Sequence, residues 1–150
     1  MPLTAAPTDD HVRTRNVATL RTYFRLLSAL DIDAWIELWA PDCEVLAPYT
    51  PGEVPALIDG RDRLYDFYAG EAAKYTRLRY PGTEIWPLHD PSRAVVRWFP
   101  HAELIGGGMY LNENVGLFEF DGAGLIRRFV EYFSPLPLTP TTTVVVVGQV

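Results

Sequence analysis

The second half of the chain is a run of strand-like segments joined by turns too short for crossovers. Residues 83–88 stop at His89-Asp90-Pro91-Ser92, a string of turn formers. Residues 94–104 follow and break at Gly106-Gly107-Gly108. Residues 109–120 run into Asp121-Gly122-Ala123-Gly124, a tight hairpin, and residues 125–133 return to Ser134-Pro135. A parallel neighbour needs a crossover of about a dozen residues or more, so this spacing predicts a four-strand antiparallel meander.

The first half has a helical rhythm. Val17, Leu20, Tyr23, Phe24, Leu27 and Leu30 fall on one stripe. Asp31 or Asp33 then caps a second, short helix with apolar positions Ile32, Trp35, Ile36 and Trp39, which Pro41 stops. Residues 43–47 read as a short strand, and Pro48, Pro51, Gly52 and Pro55 as a loop placed where a lid would sit. Gly60 opens a third helix whose stripe is Leu64, Phe67 and Tyr68, extended at most to Tyr75. Helices first and hairpin-linked strands later define an α+β fold. The expected organisation is a loose arm over 1–15, a single domain over 16–138 and a low-complexity tail over 139–150. A curved antiparallel sheet with helices over one face encloses a conical pocket, and 4 Trp, 8 Tyr and 7 Phe are available to line it.

Composition removes several function classes. Nineteen acids against 13 bases give a net charge of −6, with no basic face for nucleic acid. Cys43 is the single cysteine, so no internal disulfide forms, which fits a reducing compartment. The first residues carry Asp9 and Asp10 where a secretory leader would be apolar, and the longest apolar run, 144–147, cannot span a bilayer. A cytoplasmic protein without membrane contact is expected. His11, His89 and His101 have no metal-ligand spacing, and nucleophile-elbow, P-loop and dinucleotide fingerprints are absent from the sequence. Neither metal nor cofactor is expected.

Strand parity selects the candidate site. Leu125, Arg127, Phe129, Glu131 and Phe133 share a face, with Ile126, Arg128, Val130 and Tyr132 opposite. A carboxylate between two phenyl rings is desolvated, which raises its pKa and suits it to general acid–base work. The alternative is a structural ion pair of Glu131 with Arg97 or Arg127. On the preceding long strand, Val95, Arg97, Phe99, His101 and Glu103 share a face. Were that face inward, His101 would reach Glu131 as a proton relay; otherwise His101 is a half-exposed residue beside Pro100. Next to the last hairpin, Tyr110, Asn112, Asn114, Gly116, Phe118 and Phe120 alternate with apolar and acidic residues. Asn114 there is either a ligand-orienting amide or part of a solvated strand end, and Gly116 leaves room for a ligand. Tyr23 carries a hydroxyl on an otherwise apolar helix face. Trp39, Tyr49, Phe67 and Phe99 are assigned to the pocket walls.

Several segments are similar to the nuclear-transport-factor-2-like, or SnoaL-like, superfamily. GLFEFDGAGLIRRFVEYFSP (116–135) resembles its last hairpin, and YFRLLSALDIDAWIELWAPDCEV (23–45) its opening helix pair and first strand. GRDRL (60–64), HDPSRAVVRWFPHAEL (89–104) and MYLNEN (109–114) resemble the phenazine-biosynthesis A/B proteins in particular. The resemblance implies a cone-shaped, cystatin-like roll, a homodimer, and Glu131 as the family's final-strand acid or base. It also marks departures. The ketosteroid-isomerase acids fall on Ala47 and Gly116, two epoxide-hydrolase positions fall near Phe99 and His101, and the phenazine histidine falls on Phe67. The expected function is a cofactor-independent enzyme of specialised metabolism. It would isomerise, cyclise, condense or dehydrate a small hydrophobic substrate that is polycyclic, polyketide-like or aromatic. The alternatives are a non-catalytic binding or scaffold protein of the same fold, and a ketosteroid-isomerase-like enzyme with a rearranged base.

Overall fold

The computed structural model describes residues 5–52 and 54–138. The 139–150 tail expected from the sequence lies outside them. Helix α1 spans Asp9–Ser28, and Thr8 caps it by accepting from the His11 amide. The helix therefore starts well inside the segment read as a loose arm. Its first turns are held by side chains that sequence periodicity does not register. Arg13 Nε donates to the Leu88 carbonyl at 3.0 Å, and Asn16, buried at 2% exposure, donates to the Pro91 carbonyl at 3.0 Å. Further along, Leu20, Tyr23, Phe24 and Leu27 enter the core as the stripe predicts. Each such burial contributes about 1.5–3 kcal/mol.

Asp31 caps the short α2 (Ile32–Trp35) through the Ala34 amide, whereas Asp33 accepts from the Tyr65 hydroxyl. Trp39 does not continue the helix but opens strand β1 (Trp39–Leu46). Pro41 sits in β1 where pairing with the neighbouring strand is interrupted between Trp39 and Glu44, so its missing N–H leaves no gap in the ladder. Strand β2 (Leu57–Asp59) pairs with β1 and leads through Gly60, at φ +86°, into α3 (Arg61–Ala72). Tyr75 begins strand β3 (Tyr75–Arg79) rather than ending α3.

The remaining strands are β4 (Glu84–Pro87), β5 (Arg93–Trp98), β6 (His101–Leu104), β7 (Met109–Leu111), β8 (Asn114–Phe120) and β9 (Ile126–Phe133). The two long strands of the predicted meander are each cut at the same level. Pro100, without an N–H, ends β5, and Asn112 marks the break opposite, its own amide donating to the Pro100 carbonyl. The outer pieces join a second sheet, β3-β6-β7, while the main sheet runs β2-β1-β9-β8-β5-β4. The β1–β9 pair is parallel, so this curved α+β sheet is mixed rather than wholly antiparallel, and it does not close into a barrel.

Register sorts the residues of the main sheet. On the inner face Ala94, Phe118, Phe129, Val45 and Ile58 form one cross-strand row, with Phe118 stacked on Phe129 at 4.3 Å. On the outer face Trp86, Val95, Leu117, Val130, Leu46 and Leu57 form an apolar row across all six strands. A register shift where β8 meets β9 pairs Phe120 with Ile126 and Glu119 with Arg128, leaving Arg127 as the extra residue. Ile126 is therefore fully buried and Arg127 exposed, the reverse of simple alternation. Among the described residues no helix is long and apolar enough to cross a membrane.

Candidate active site

A cavity of about 590 Å³ lies between α1, α3, the inner sheet face, the second sheet and the loop after β1. Glu131 projects into it from β9, directly opposite Gly116 in the β8–β9 register. Among the described residues no cation pairs with it. Arg97 pairs with Glu113 at 2.6 Å and with Glu84 at 3.5 Å, and Arg127 pairs with Glu119 at 3.2 Å. The structural ion pair is thus not what the structure forms. The one hydrogen bond to Glu131 among the described residues is from Asn114 Nδ2 to Oε1, at 3.1 Å. Burial pushes the carboxyl up to about 7, and the Asn114 bond pulls it partly back.

Gly116 does not open a path for a ligand. A Cβ there would lie 2.3 Å from Phe129 Cε2 and 2.9 Å from Trp98 Cη2. The two rings cover the glycine, and of the two Trp98 reaches the cavity.

Five tyrosines, Tyr23, Tyr68, Tyr75, Tyr80 and Tyr110, line the cavity. Burial is the first cause that holds each phenol above its ordinary value, and the Glu131 charge adds to it, so all stay neutral donors at physiological pH. Tyr110 accepts from Asn112 Nδ2 at 2.9 Å and so keeps its own proton to offer to a ligand oxygen, as does the neutral phenol of Tyr68. At the mouth Lys74 is paired with Glu71 at 2.6 Å.

Of the residues singled out in the sequence, Glu131, Tyr23, Phe67 and Asn114 line the cavity. His101, Phe99, Trp39 and Tyr49 do not. The inward set on β5 and β6 is Ala94, Val96, Trp98, Pro100 and Ala102, all buried. His101 and Phe99 consequently sit on the opposite face, and Phe99 packs under the Arg97 guanidinium at 4.8 Å. The relay from His101 to Glu131 is not formed. Trp39 is fully buried among Tyr23, Trp35 and Phe129, behind the cavity wall. Tyr49 is 64% exposed and lies tilted against Tyr132 at 5.8 Å, on the outside. From the Pro-rich loop it is Pro51, Gly52, Val54 and Pro55 that reach the cavity. Tyr68, Tyr75, Tyr80 and Glu71 were not singled out. Tyr110 carried a usable signal, since it shares its strand phase with Asn114. Among the described residues no group of three His, Cys, Asp or Glu is placed to hold a metal ion.

This arrangement of helices and curved sheet has known counterparts. Residues 20–129 match the SnoaL-like domain, and the chain belongs to that family. Solved structures share its fold. A phenazine biosynthesis-related protein (phzb2) of Pseudomonas aeruginosa is 20% identical with a TM-score of 0.75, covering 94% of this chain and 96% of that one. RV0760c of Mycobacterium tuberculosis, in complex with estradiol-17beta-hemisuccinate, is 22% identical with a TM-score of 0.72, covering 80% and 94%. BvnE pinacolase of Penicillium brevicompactum is 17% identical with a TM-score of 0.71, covering 85% and 91%. At these identities the likeness is one of fold.

Proposed function

We propose that this chain is a cofactor-independent enzyme in which Glu131 takes a proton from, and returns it to, a small polycyclic, polyketide-like or aromatic intermediate of specialised metabolism. The observation that carries the reading is a carboxyl poised near 7 in a largely apolar cavity, with no basic partner among the described residues. Such a group is present in both protonation states at neutral pH, which is what a reversible proton transfer requires. A ketone oxygen held by Tyr68 and Tyr110 would become more acidic at its α-carbon, and the developing enolate charge would be stabilised by neutral donors in a dry site. Glu131 would remove the α-proton and deliver it elsewhere on the same skeleton. With His101 outside the cavity, one acid–base group does both tasks, which favours isomerisation or cyclisation over a reaction needing two opposed proton carriers. RV0760c, which has the same fold and holds estradiol-17beta-hemisuccinate, supports a hydrophobic ligand.

The chain would work as a homodimer, its apolar outer row covered by a second copy. The test of the chemistry is Glu131→Gln. Fold and ligand affinity are expected to persist while turnover drops by about 10² or more, and wild-type turnover is expected to rise through about pH 7 as the base ionises. A Glu131→Gln variant with wild-type turnover removes Glu131 from the chemistry and leaves a binding protein.

A further inference from the structure

The two oxygens of Glu131 are not equivalent. Oε1 accepts from Asn114 Nδ2, a side chain only 5% exposed. Oε2 has no hydrogen-bond partner among the described residues, yet it is not among the buried atoms left without one. It therefore opens onto the cavity that Glu131 lines. The Asn114 side chain makes no other hydrogen bond among the described residues, and its own Oδ1 is buried and unpartnered. Keeping an unpaired carbonyl in the interior is unfavourable, and packing alone would be served better by an apolar residue of the same volume. The amide is thus placed for the carboxylate, not for the core.

We propose that Asn114 is a positioning residue that sorts the oxygens of Glu131, pinning Oε1 against β8 and leaving Oε2 as the atom that exchanges a proton with whatever fills the cavity. The inference deepens the acid–base reading above and rests on it for its catalytic meaning, but the sorting exists in the ligand-free protein. In the ionised state Nδ2–H donates to Oε1. On protonation the same bond persists to a carbonyl-like Oε1, because a carboxylic acid keeps one acceptor oxygen, and the proton is carried by Oε2. Among the described residues, the other titratable groups that line the cavity are neutral or already paired. The phenols of Tyr23, Tyr68, Tyr75, Tyr80 and Tyr110 hold their protons, and Glu71 is bound to Lys74. Asn114 is accordingly the group that sets how readily Glu131 ionises, beyond burial itself.

The test uses the full chain without ligand. The Glu131 carboxyl is titrated by carbon NMR in the wild type and in Asn114→Leu, and the Asn114 side-chain amide is followed by nitrogen NMR in the wild type. In Asn114→Leu the Glu131 midpoint is expected to move upward by about one pH unit, the tenfold change typical of a lost hydrogen bond to an ionised group. The wild-type amide is expected to titrate with the midpoint of Glu131. A Glu131 midpoint unchanged in a folded Asn114→Leu overturns the proposal. If that variant does not fold, an Asn114 amide indifferent to pH overturns it instead. An inactive chain that still shows both shifts leaves the sorting intact and removes only the enzymatic reading.

Discussion

The buried carboxyl has a thermodynamic consequence that needs no substrate. Glu131 ionises at about 7 in the folded chain against an ordinary value of 4.5. Between those two values the native state holds a proton that the unfolded chain has released. Folding stability therefore falls as pH rises through this window, the opposite of a salt-bridged carboxylate. The gap of 7 − 4.5, at about 1.36 kcal/mol per pH unit, amounts to about 3 kcal/mol in all. About 2.5 kcal/mol of that falls between roughly pH 5 and roughly pH 8. Glutamine keeps the shape and cannot ionise, so Glu131→Gln should lose this dependence and become relatively more stable in alkali. Urea unfolding of both proteins across that pH range measures it, and other titrating groups cancel in the difference. For a domain of this length the thermal midpoints should separate by about 5–10 °C between the two ends of the range. Parallel curves would refute the reasoning, because they would mean that water reaches Glu131 well enough for it to titrate like a surface glutamate. A difference of opposite sign would mean a cationic partner.

Two further outcomes follow from the packing around the site. Gly116→Ala drives a methyl into the Phe129 and Trp98 rings, and it should cost about 3 kcal/mol of stability, seen as a lower urea midpoint, because Phe129 is fully buried and stacked on Phe118 and cannot retreat. Val130→Asp places a charge in the middle of the outer apolar row, and it should break the proposed dimer, so that sedimentation gives a dimer for the wild type and a monomer for the variant. A monomeric wild type sinks the dimer.

The helix stripe of α1, the Asp31 cap and the Asp121 hairpin were legible because each is local. Asp121 accepts from the Ala123 and Leu125 amides within its own turn. The start of α1 was not, since Arg13 and Asn16 are fixed by carbonyls about 75 residues away in sequence. The cut through both long strands was half legible. Pro100 announces it on one strand, but the break at Asn112 is made by the partner and by the Asn112 side chain, which bonds the Glu113 amide and the Ser134 carbonyl. Parity was reliable from Arg128 to Phe133 and failed one step earlier, at a bulge whose extra residue no periodicity reveals.

The misplaced face of β5 and β6 bears on the chemistry. One phase of that stretch is Ala94, Val96, Trp98, Pro100 and Ala102; the other carries Arg97, His101 and Glu103. Following the histidine chose the charged phase, although a face without a single charge is the one a core selects. The consequence extends across the sheet. Arg93, Arg97, Arg127 and Arg128 all lie outward, facing Glu84, Glu113, Glu119 and Glu44. That partition strips the inner face of cations and leaves Glu131 as its one acid. A guanidinium on the inner side would have anchored the carboxylate in its ionised form and ended its capacity to carry a proton at neutral pH. The reactivity of the site thus comes from strand register: slipping β9 by one residue against β8 would turn Glu131 out and Val130 in, and the cavity would lose its unpaired acid without losing its apolar lining.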